Sequence, residues 1–101
     1  AALLCTMPLK TITFPFGIFE GSVDNSQKLN GWGKMTFLSG DCYLGEWKDH
    51  KREGLGEFTY KDGEVYVGFY HNSKKWGFGY QVYSDGRFFD GQWETGLRNG
   101  W

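Results

Sequence analysis

Apolar and polar residues alternate along most of this chain, and glycine interrupts the alternation at regular intervals. Residues 43–48 and 54–60 show the period-two signature of strands. Val, Tyr, Phe, Trp and Thr fill the alternating positions, which favours strand over helix. No stretch carries a convincing amphipathic helical pattern. Ser39-Gly40, Asp62-Gly63 and Asp85-Gly86 read as tight turns, where glycine supplies a positive φ. Longer loops over 48–53, 71–76 and 94–99 are expected to join the two strands of each hairpin. The pattern predicts eight antiparallel strands, near 9–14, 19–23, 32–37, 43–48, 55–60, 66–70, 78–83 and 89–94. They should pair in chain order within one continuous sheet.

The alternation itself repeats. Tyr43-Leu-Gly45-Glu-Trp47 returns 23 residues later as Tyr66-Val-Gly68-Phe-Tyr70, and again as Phe89-Asp-Gly91-Gln-Trp93. Gly31-x-Gly33, Gly54-x-Gly56 and Gly77-x-Gly79 follow the same period. A fixed period of this length means stacked copies of one hairpin, each touching mainly its neighbours. The units are residues 19–42, 43–65, 66–88 and a cut-short 89–101. Residues 1–18 read as a degenerate half-repeat or cap, with Pro8 and Lys10 where Gly31 and Gly33 stand one period later. Pro8 at an outer strand would blunt edge pairing. The chain starts without methionine and stops where the period asks for another strand, so it reads as a piece of a longer protein.

Within each strand the recurring rings share a parity: Tyr43 and Trp47, Phe58 and Tyr60, Tyr66 and Tyr70, with Trp93 next in the series. They are expected to form a one-sided core. Aromatics are 20% of the chain and there are 16 glycines, a pairing that suits wide rings lying across bare backbone. Gly45, Gly56 and Gly68 are the expected sites of that contact. The opposite face should be polar in a sheet exposed on one side. Instead Leu9, Trp32, Leu55, Phe78 and Trp101 form an apolar column at the repeat period. Beside it the third repeat places Val67, Phe69, Tyr80 and Val82 where the second has Leu44, Glu46, Glu57 and Thr59. Trp32, Leu55, Val67, Phe69, Phe78 and Tyr80 therefore form the leading candidate partner site. The alternative is ordinary core beneath a further segment. A rival site is a groove floored by Tyr43, Trp47, Tyr66, Tyr70 and Trp93.

Charge adds one pattern. Formal net charge over the 101 residues is −1, so no global pull toward nucleic acid or membrane exists. Lys28, Lys51, Arg52, Lys74, Lys75 and Arg98 recur in the expected hairpin loops and would line one long edge. Neighbouring clusters would lie roughly 9.6 Å apart, close to the screening length of about 8 Å. Asp49, Glu53 and Glu94 dilute them. A solvated edge is the plain reading; anionic lipid or an acidic partner is the minor one. Cofactor, metal and catalytic sites are not expected. His50 and His71 fall at different repeat positions without a cysteine at ligand spacing. The acids form no recognisable catalytic pair. No helix follows the Gly-x-Gly phrases to receive a phosphate. Cys5 and Cys42 suggest no disulfide framework and point to a reducing, cytoplasmic setting. No segment approaches the roughly 18 apolar residues of a membrane-spanning helix.

The phrase Tyr-x-Gly-x-Trp, then Gly-x-Gly, an aromatic pair and a turn glycine, resembles the membrane occupation and recognition nexus (MORN) repeat over residues 19–101. One position departs from the family pattern. A glycine often stands seven residues after the lead tyrosine, where this chain has Ser26, His50 and Ser73, and only Gly96 conforms. The resemblance implies an all-β, elongated, single-layer antiparallel sheet that curls into a groove-bearing strip. It also implies a non-enzymatic scaffold with protein partners in a larger intracellular assembly, cytoskeletal or ciliary. The alternatives are a peripheral membrane adaptor binding anionic phospholipid, and a regulatory segment of a larger enzyme.

Overall fold

Period-two alternation leaves strand as the regular structure these residues can share, and the chain adopts it throughout. The computed structural model describes residues 9–95 and 97–98. Within them one antiparallel sheet runs in chain order through nine strands. These are β1 (Leu9–Phe14), β2 (Gly17–Val23), β3 (Leu29–Phe37), β4 (Cys42–Lys48), β5 (Lys51–Thr59), β6 (Val65–His71), β7 (Lys74–Val82), β8 (Phe88–Glu94) and β9 (Leu97–Arg98). Every expected strand is present, and a two-residue ninth closes the last hairpin. No helix occurs among the described residues. The molecule is an elongated strip measuring 42 × 25 × 24 Å. A single flat layer would be far thinner than 24 Å, so the sheet is strongly twisted and curled. Expectations for Cys5, Pro8 and Trp101 fall outside the described residues, as do the side chains of Leu9 and Arg98.

Two kinds of turn alternate along the strip. At one end, three-residue loops carry the expected glycine. Gly40 donates to the Phe37 carbonyl at 3.0 Å, and Phe37 donates to the Asp41 carbonyl at 2.9 Å. Gly40 has φ +100°, and Gly63 and Gly86 occupy the same position with the same pair of bonds. The other end differs from expectation. Asp49-His50 and Asn72-Ser73 are two-residue turns with φ between 50° and 67°, the mirror-image geometry that matches strand twist. His50 and Ser73 thus adopt the left-handed backbone without being glycine.

The rest of each expected long loop stays in the sheet as a bulge. Gly45 pairs with Gly56 and Trp47 with Arg52, so residues 53–55 of β5 oppose Glu46 alone. Residues 76–78 oppose Phe69 in the same way, and residues 30–32 oppose Ser22. Gly31, Gly54 and Gly77 take φ of +86°, +91° and +74° at these bulges. The two glycines of each Gly-x-Gly phrase therefore do different work. The first bends the strand, and the second lies flat beneath a ring.

That second glycine explains the core. A Cβ built on Gly33 would strike the ring of Phe19, on Gly56 that of Tyr43, and on Gly79 that of Tyr66. These three rings are fully buried in a sheet that has no second layer. The Tyr43 hydroxyl donates to the Glu46 carbonyl at 3.0 Å, and that of Tyr66 to the Phe69 carbonyl at 2.8 Å. Rings then meet edge to face along the strip. Phe19–Trp47 centroids lie 5.6 Å apart, Tyr43–Trp47 5.2 Å, Tyr43–Tyr70 5.3 Å, Tyr66–Tyr70 5.3 Å and Tyr66–Trp93 5.4 Å. Each such pair adds about 0.5–1.5 kcal/mol beyond its buried area. A continuous ribbon of rings stands in for the missing layer.

Candidate interaction surfaces

Rings in a single layer are fully buried only if the sheet curls around them, so the ring face is the concave one, and most of it is filled by its own side chains. Tyr43, Trp47, Tyr66, Tyr70 and Trp93, the rival groove set, are each at most 7% exposed. Burial raises the Tyr43 and Tyr70 hydroxyls above their usual range and pushes Tyr66 up to about 12. Two cations complete the cover. The Arg52 guanidinium lies over Tyr43, Phe58 and Tyr70 at 5.7, 5.3 and 5.1 Å from the ring centres. Its Nη2 donates to the Ser73 carbonyl at 2.6 Å. One repeat on, Lys75 Nζ lies 5.1, 4.9 and 4.7 Å from the centres of Tyr60, Tyr66 and Trp93. It donates to Gln81 Oε1 at 2.8 Å, and Gln81 donates in turn to Glu64 Oε1 at 3.3 Å. Ring faces attract a cation, but loss of water outweighs them and lowers the Lys75 ammonium to about 8.

The expected basic edge is therefore divided. Arg52 pairs with Trp47 across the ladder and Lys75 with Tyr70, which turns both onto the ring face. Lys51 and Lys74 remain exposed at the hairpin tips. Sequence reading grouped all four because it took these residues as loop. Both pairs, Lys51 with Lys74 and Arg52 with Lys75, recur at 23 residues, so the signal that separates them is strand parity, legible only once the register is known. A recess of about 380 Å³ opens on the concave side near the first hairpins, lined by Phe14, Phe16, Phe37, Trp47, His50 and Arg52 among others.

The convex face is different. Trp32, Leu55, Val67, Phe69, Phe78 and Tyr80 are each between 41% and 62% exposed. Pairing arranges them as a grid. Leu55 sits opposite Phe69, Val67 lies between Glu57 and Tyr80, and Val82 lies between Val65 and Phe88. Tyr80 and Phe88 stack with centroids 5.4 Å apart. The second and third repeats differ at one telling position. Glu46 turns its Oε2 to accept from the Leu55 amide at 2.7 Å, tying down the bulge. Phe69 occupies that position a repeat later and offers no carboxylate. The third repeat exposes a ring where the second makes a hydrogen bond.

Several other polar groups are tied into turns. Glu53 accepts from the Asn72 amide at 3.1 Å and pairs with His71 Nδ1 at 2.9 Å; the bond to His71 holds its carboxyl below the usual range. His50 Nδ1 accepts from the Leu29 amide at 3.4 Å. Asp24 accepts from the Ser26 and Lys28 amides and from Asn30, closing the β2–β3 loop. No group of His, Cys, Asp and Glu able to hold a metal ion occurs among the described residues. The Cys42 thiol is free and half-buried.

Comparison with known protein families gives a match to the MORN repeat at residues 43–65, 66–86 and 89–100. These spans begin on β4 and follow the hairpins already described. A search of curated proteins returns no match.

Proposed function

We propose, from the premise that this chain belongs to the MORN repeat family, that it is a docking strip whose convex face receives another polypeptide. MORN repeats are non-catalytic and serve in general for protein interaction or membrane recognition. The observation that carries the choice is the contrast between the two faces. The five rings of the rival groove set are at most 7% exposed, whereas the six convex residues are at least 41% exposed. An apolar patch of that extent is the usual mark of an interface. The setting we propose is a larger cytoplasmic assembly, cytoskeletal or ciliary, on the precedent of proteins with such repeats. Residues 19–42 count as a repeat of the same kind, because Phe19 lies across Gly33 as Tyr43 lies across Gly56.

The test is affinity capture with two baits, the 101-residue chain and its Phe69→Ser/Phe78→Ser variant. Neither residue belongs to the buried cluster, so the variant should keep the wild-type circular dichroism spectrum. It should lose the captured partners. Capture of the same set by a folded variant would contradict the docking reading.

Membrane recruitment is the weaker reading. Arg52 and Lys75 are committed to the ring face, leaving Lys28, Lys51 and Lys74 as the exposed cations among the described members of that edge. Vesicles containing phosphoinositide should therefore fail to bind the chain even at low salt. Sedimentation of the chain with such vesicles, abolished by Lys51→Glu/Lys74→Glu, would restore the membrane reading.

A further inference from the structure

In the three rows nearest the Val65 end, β6 and β7 turn Val65, Val67, Phe69, Phe78, Tyr80 and Val82 outward, and none of these six is charged; toward the hairpin end the same face continues with Trp76, His71 and Lys74. The strands on either side are different. In the middle row the ladder runs Glu57, Val67, Tyr80, Asp90, so a carboxylate stands on each flank of the uncharged stripe. Glu46 adds a third on the β4 side, next to Leu55. The lysines of this face within β4 to β7 are Lys74, opposite His71, and Lys51, opposite Lys48, at the hairpin end rather than on the flanks of the three apolar rows.

The dimensions select an occupant. Glu57 and Asp90 are three strand spacings apart, about 14 Å. A helix with its side chains is about 10–12 Å across. The three rows of outward residues cover about 13 Å along the strands, or about two turns of helix. A helix laid along β6 and β7 would bury one apolar stripe and bring the residues bordering it over Glu57 and Asp90. A partner strand has no unpaired edge to join here, because both strands are paired on both sides. A second copy of this stripe would bring acidic flanks against acidic flanks.

We infer that the convex stripe of the third repeat binds a short amphipathic helix whose apolar face is bordered by lysine or arginine. The inference rests on the convex docking reading above and adds the partner's shape and charge. Apolar burial supplies the attachment, and the flanking carboxylates choose among apolar helices by sign.

The probes are two synthetic peptides of about 14 residues, one of leucine and lysine in helical period and one of leucine and glutamate. Their binding to the 101-residue chain is measured by fluorescence anisotropy at physiological salt. The lysine peptide should bind at least about tenfold more tightly than the glutamate peptide. Glu57→Lys/Asp90→Lys alters only exposed side chains and should reverse that order. Phe69→Ser/Phe78→Ser should lose both. Equal affinity for the two peptides, no binding of the lysine peptide, or an unreversed order in the charge variant overturns the inference. If those results occur while the serine variant still loses its captured partners, docking on this face stands and the basic helix falls. If the serine variant keeps them, the docking reading falls as well.

Discussion

At the scale of single residues, the two glycines of each Gly-x-Gly phrase make separable predictions. Gly56 lies under the Tyr43 ring with ordinary backbone, so its difficulty is space. Gly56→Val should lower stability by about 1–3 kcal/mol in a denaturant melt, despite valine's preference for strands. Gly63 has φ +95° and open space around it, so Gly63→Ala should cost about 1–2 kcal/mol through backbone strain alone. A neutral Gly56→Val would mean that the ring does not lie on the backbone there. The ring-over-glycine contact was legible in the sequence, because Tyr43 and Gly56 recur at fixed spacing. The bulge role of Gly54 was not. Nothing in Lys51-Arg52-Glu53 distinguishes a bulged strand from a polar loop until the register with β4 is known.

Lys75 gives a pH prediction at the same scale. Its ammonium titrates near 8 in the folded chain against an ordinary 10.5. Between those values the unfolded chain binds more protons, so stability should rise with pH from about 8. The buried tyrosines act the other way. Their folded values are raised, so the unfolded chain loses those protons first and stability falls above about 10. The melting temperature should therefore pass through a shallow maximum between pH 8 and 10, shallow because Lys75 is only half-buried. Lys75→Met keeps a stem of similar length over Tyr66 and Trp93 and removes the charge. It leaves the buried Gln81 Oε1 without its donor, which lowers the melting temperature at every pH, and it should lose the rise. A rise that persists in the variant would assign it to another group.

At the scale of the element, the β2–β3, β4–β5 and β6–β7 hairpins are each one long strand pair with the same bulge, and the two surfaces have opposite fates. Alternation alone predicts those surfaces, and the strand positions followed from it. It cannot say which surface is filled, since aromatic residues occur on both. The decision lies in size and opposition. Tyr43, Tyr66 and Phe19 lie across glycines and sink onto the backbone, whereas Phe69 faces Leu55 and Phe78 faces Gln92, both of which carry side chains. Inward rotation of Arg52 and Lys75 belongs to the same scale. It follows from their pairing with Trp47 and Tyr70, which the expected long loops concealed.

At the scale of the whole molecule, the strip is held by a one-sided ribbon of rings and presents its apolar surplus on the other side. That division is the central claim, and adjacent repeats allow it to be read directly. A photo-crosslinking benzophenone side chain can replace Phe69 on the convex face or, in a second protein, Tyr60 on the concave face. Both are partly accessible, so both should fold. After irradiation in cells, the protein carrying the probe at Phe69 should form covalent adducts with another polypeptide, and the one carrying it at Tyr60 should not. Adducts from Tyr60 with none from Phe69 would place the partner in the concave groove and contradict the account.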